Sequence, residues 1–106
     1  MSDKVYSFQD LVKFMPGVSI SILKKWCEYL ELGGRVGQGR SRPLGRKEAF
    51  KLWAFYKLRT DEMPVPWIIK TLQAYPMDTE FHKDYCRYLI NLRKLEETFN
   101  HAFMEE

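Results

Sequence analysis

Cysteine is scarce in this 106-residue chain: the two present, Cys27 and Cys86, stand far apart and outside any Cys-x-x-Cys pair. That excludes a disulfide framework and a cysteine-based zinc site, so both thiols are expected to be reduced and structural. Histidine is limited to His82 and His101, too few and too separated for a catalytic or metal constellation. The glycine pairs Gly33-Gly34 and Gly37-x-Gly39 lack the Lys-Ser/Thr sequel of a phosphate loop. Long hydrophobic runs are missing too. Runs such as Val65-Pro66-Trp67-Ile68-Ile69 fall far short of the roughly 20 residues a spanning helix requires. The first residues have no apolar stretch of the signal-peptide kind, and a cytoplasmic location is expected. No enzymatic activity, cofactor, metal, membrane or small-molecule ligand is expected.

What is there suits one folded domain: 45% apolar, 15% aromatic and 29% charged residues. The net charge of +3 is unevenly spread. Residues 1–60 hold twelve Lys or Arg against five Asp or Glu, whereas residues 61–106 hold five against nine. The densest basic stretch, Arg35-Val-Gly-Gln-Gly-Arg40-Ser-Arg42-Pro-Leu-Gly-Arg46-Lys47, carries five positive charges and no acid. Such a cluster is the footprint of a phosphate-binding surface, because each neutralised phosphate releases a counterion. A solvated basic loop would have the same composition.

The apolar periodicity predicts mainly α structure. Ser7 with Asp10 three residues on reads as a capping box before a helix from Phe8 to Met15 that buries Phe8, Leu11, Val12 and Met15. After Pro16-Gly17, Ser19 is the expected cap of a second helix, with Ile22, Leu23, Trp26, Tyr29 and Leu30 facing the core and Gly33-Gly34 ending it. The short connection makes the pair a helix-turn-helix. Arg35-Val36 and Arg42-Pro43-Leu44 are expected to pair as a small two-stranded wing. A third helix from Lys47 to Arg59 is apolar on more than one face, a fourth runs from Pro66 to Ala74 around Trp67, Ile68, Ile69 and Leu72, and a last one spans Thr79 to Phe103.

In order and spacing, Tyr6-Ser-Phe-Gln-Asp-Leu-Val-Lys-Phe-Met15, Gly17-Val-Ser-Ile-Ser-Ile-Leu-Lys-Lys-Trp26, the Gly/Arg wing, the third helix and Met63-Pro-Val-Pro-Trp-Ile-Ile-Lys-Thr-Leu72 resemble the MerR-like winged helix-turn-helix family. The likeness covers residues 5–74 and extends to phage excisionases and some phage small terminase subunits. It implies a DNA-binding domain over residues 1–75, with a C-terminal helix over 76–106 as a dimerisation element. Because that family inserts the start of its second helix into the major groove, the resemblance implies that Ser19, Ser21, Lys24 and Lys25 lie at or near DNA. The serines have helix capping as a competing role, and the lysines a solvated face. The family's wing usually carries Tyr-Arg-x-Tyr, where this chain has Arg42-Pro43-Leu44-Gly45. That departure shifts the expected wing contacts onto Arg35, Arg40, Arg42 and Arg46.

Tyr85, Tyr88, Leu92, Leu95 and Phe99 recur at three- and four-residue steps, forming a stripe that packs either on its own domain or across a homodimer. The expectation is a MerR-like transcriptional regulator of double-stranded DNA without an effector domain. The alternatives are an excisionase-like or small-terminase-like DNA-binding factor of phages or mobile elements, and a protein-interaction adaptor on the winged fold.

Overall fold

The structure is a computed structural model that describes residues 6–32 and 44–104. Its elements are α1 (Phe8–Val12), α2 (Ile20–Leu30), α3 (Arg46–Thr60), α4 (Val65–Ala74), β1 (Glu80–Lys83), β2 (Cys86–Leu89) and α5 (Leu92–Met104). The result is a mainly helical molecule with one two-stranded antiparallel sheet. Helix α3 is the axis, with α2, α4 and α5 all packed against it, while α1 and α4 also touch α2.

Local chemistry explains the first four helices. The Ser7 hydroxyl accepts the Asp10 N–H at 3.1 Å and the Asp10 carboxylate accepts the Ser7 N–H at 3.0 Å, the reciprocal box expected there. Helix α1 is shorter than expected, ending at Val12, and its turn passes through Gly17 at φ +85°, a conformation a side chain would strain. Ser19 caps α2 by accepting the Ile22 N–H at 3.3 Å. Gly45 precedes α3, with its N–H donated to the Glu48 carboxylate at 3.0 Å. Helices α2 and α3 close alike: Leu32 N–H bonds back to Cys27 and Met63 N–H to Leu58, both at 3.0 Å. Each close puts a glutamate in the left-handed region, Glu31 at φ 55° and Glu62 at φ 65°.

Beyond Ala74 the expected architecture is corrected. The stretch from Thr79 to Phe103 is not one helix but a hairpin followed by a 13-residue helix. Strand β1 pairs with β2 in the register Glu80 with Leu89 through Lys83 with Cys86, turning at Asp84-Tyr85 with Asp84 at φ 55°. Asn91, not Thr79 or Asp78, caps the final helix, its carboxamide oxygen accepting the Lys94 N–H at 2.9 Å. The stripe read from Tyr85 to Phe99 is therefore broken. Tyr85 and Tyr88 sit on the hairpin, Leu95 is half-buried, and Leu92 and Phe99 are buried in the chain's own core, so these two present no surface to a partner copy.

Phe99 is fully buried at the centre of an aromatic cluster. Its ring lies 4.7 Å from Phe103, 5.7 Å from Phe50, 5.9 Å from Trp53 and 6.1 Å from Tyr6. Nearby, the Tyr75 hydroxyl donates to the Glu96 carboxylate at 2.9 Å, tying the end of α4 to α5. Burial first, then the hydrogen bond and the charge of Glu96, raise the Tyr75 phenol above its ordinary 10.0, against the opposing influence of Arg46.

Three outcomes test this packing. Phe99→Ala should cost about 3–5 kcal/mol in urea unfolding, the usual range for a buried aromatic. Glu31→Gly and Glu62→Gly should each stabilise by about 0.5–1 kcal/mol, because relief of left-handed strain outweighs the added unfolded-chain entropy. The folded state holds the Tyr75 proton more tightly than the unfolded chain does. Its contribution is thus complete below the unfolded phenol pKa of ~10 and is lost as pH rises through the higher folded value. Urea midpoints measured across that alkaline range should fall less steeply for Tyr75→Phe than for the wild type.

Candidate nucleic-acid interface

Helix α2 turns one face inward and leaves the rest to solvent. Leu23, Cys27 and Leu30 are buried, and Trp26 stacks on Phe55 of α3 with centroids 4.5 Å apart. This differs from the expected inward set. Cys27 takes a core position, while Ile22 and Tyr29 are exposed at 36% and 41%. The reason is angular: on a 3.6-residue turn, residues 23, 27 and 30 fall within about 60° of one another, whereas 22 and 29 lie together on one flank, more than about 100° from their centre. A small apolar thiol suits the close approach of α2 to α3 and α4.

Of the residues expected near DNA, Ser19, Ser21 and Lys25 are exposed and Lys24 is half-buried. Lys25 stands almost opposite the buried face, with Ser21 one turn before it and Ile22 beside it. Glu28 and Glu31 are also exposed, towards the far end of α2. The cationic part of the helix surface is thus confined to its N-terminal half, where the unpaired backbone N–H groups add partial positive charge.

Arg35, Arg40 and Arg42, with the expected wing over residues 35–44, lie outside the described residues except for Leu44. The described residues on either side of that stretch are firmly held. Leu32 and Leu44 are buried, and Leu44 exchanges two 2.8 Å backbone hydrogen bonds with Tyr6. Leu32 follows the C-terminal end of α2, and Leu44 precedes the start of α3.

Arg46, expected among the wing contacts, is an exposed residue at the first position of α3. Its guanidinium donates to the Asn100 carboxamide oxygen and lies 5.4 Å from the Phe99 ring centroid, bracing α3 against α5. A guanidinium stacks well on an aromatic face while keeping its edge wet. Lys47 beside it is exposed.

Sequence reasoning missed the hairpin. Phe81 and Tyr88 form a cross-strand pair against α4, with Phe81 stacked on Trp67 at 4.6 Å and Tyr88 at 5.7 Å from the same ring. The opposite face carries His82 and Arg87, which reach Glu80 at 2.8 and 3.7 Å. Tyr85 is fully exposed at the turn and Leu89 is 61% exposed. The available signals were Asp84, tolerant of the left-handed region, and Asn91, a strong cap just before Leu92.

Among the described residues, no three His, Cys, Asp or Glu side chains converge as a metal site, and no helix is long and apolar enough to cross a membrane. A depression of about 290 Å³ lies along Lys94, Glu97, Thr98, His101 and Ala102, all of them on the single helix α5. Comparison of the chain with protein-family models, with curated proteins and with solved structures finds no match.

Proposed function

We propose that the chain binds double-stranded DNA, with the N-terminal half of α2 in the major groove and the basic segment from Arg35 to Lys47 along the flanking backbone. The outward face of the first two turns of α2 carries this reading. Ser21 and Lys25 are exposed there, while Leu23, Cys27 and Leu30 lock the helix to the core. A rigidly seated helix with a free, positively polarised start is the usual device for reading a groove. The charge distribution supports the same orientation, since the acidic excess falls in the part of the chain after residue 60. The resemblance to MerR-like proteins points to transcriptional regulation. An excisionase-like or small-terminase-like role would use the same contacts.

The exposed Tyr85 and Leu89 on the hairpin favour a second reading, in which the chain is an adaptor that docks on another protein. The stripe expected to pair two copies retains only Tyr85, Tyr88 and part of Leu95 at the surface, so DNA binding is proposed here per chain and does not depend on a dimer.

Random duplex at low salt should shift in a gel at micromolar protein, and absence of a shift ends the DNA reading. Neutralising Arg40 and Arg42 together should weaken binding and reduce the log–log salt slope by about two, at roughly 0.9 per phosphate contact. Under the adaptor reading the same variant leaves partner capture unchanged.

A further inference from the structure

We infer that Ile22 is a specificity residue that reads the C5-methyl group of a thymine. The inference rests on the proposed binding of DNA through α2. Ile22 is the third residue of that helix and is 36% exposed, although its apolar periodicity would place it in the core. The core does not need it, because Leu23, Cys27 and Leu30 complete the inward face. Its backbone is held by the cap, with the Ile22 N–H donated to the Ser19 hydroxyl. Its branched side chain has few rotamers to lose on contact. An aliphatic group is therefore presented stiffly to solvent on the surface proposed to enter the groove.

The neighbours of Ile22 narrow what it meets. Ser21 and Lys25 flank it with polar groups suited to phosphate or base edges. Further along, the exposed Glu28 and Glu31 oppose close approach of phosphates, which limits contact to the first two turns. Tyr29 is also exposed, but it lies beside Glu28 and leans towards Phe55, with centroids 6.3 Å apart. Ile22 is thus the apolar group on the part of α2 that reaches the groove floor. The major-groove edges of the bases are hydrogen-bonding groups apart from one apolar feature, the thymine methyl.

The test uses the full chain and a duplex enriched by it from a random pool. Each thymine is replaced in turn by deoxyuridine, which removes the methyl and nothing else. One position should lose about fourfold in affinity, the equivalent of one buried methyl-sized group. Ile22→Ala should bind the thymine and uracil forms of that site equally, with the salt slope of the wild type. A wild-type protein indifferent to every methyl overturns the inference and leaves DNA binding standing. So does a thymine preference that survives in Ile22→Ala, which would assign the methyl contact to another residue. If no duplex is bound at all, the DNA reading fails and the inference falls with it. Should Ile22→Ala fold poorly, Ile22→Val, which trims one methyl group and keeps the branched shape, takes its place: it should narrow the thymine-over-uracil preference, and an unchanged preference overturns the inference.

Discussion

Phe99 makes the contact on which the rest of the molecule depends. Its ring meets Tyr6 from the N-terminal segment, Phe50 and Trp53 from α3, and Phe103 from its own helix. Segments distant in the chain are thereby joined in one dry cluster. Closing such long-range contacts is entropically costly, and large aromatic areas offset that cost in a small chain. With α5 laid across it, α3 is covered on several sides, consistent with Ala49, Phe50, Leu52, Trp53, Ala54, Phe55 and Leu58 all being buried. A helix this apolar has no stable place at a surface.

The placement of α2 follows from that central helix. Phe55 offers its ring to Trp26, and the three inward residues of α2 complete the contact. What remains outside is a polar, cationic first half with one aliphatic group and an acidic second half. Leu32, just past α2, and Leu44, just before α3, are both buried in the core. The hairpin stands apart from this arrangement, docked through Trp67 and carrying exposed aromatic and aliphatic groups.

Much of the helical order was legible from local chemistry. Ser7, Asp10 and Ser19 mark helix starts because a side-chain oxygen near an unpaired N–H is a short-range device that needs no partner from elsewhere. The region after Ala74 was not legible in the same way. Tyr85, Tyr88, Leu92 and Leu95 are spaced as on a helix, yet Tyr88 pairs with Phe81 across a two-residue turn, and Trp67 rewards that pairing. Periodicity within one segment carries no information about a ring on another helix.

The candidate interface divides along the same line. Sequence by itself determined where the basic charge lies, that α2 starts at Ser19, and that Ser21 and Lys25 belong to its first two turns. Only the tertiary structure decided that Cys27 goes inward while Ile22 and Tyr29 go outward, and that Arg46 braces α5 over Phe99. The physical reason is that a helix specifies its caps and its angular pattern locally, whereas the side it buries is chosen by the surface it packs against.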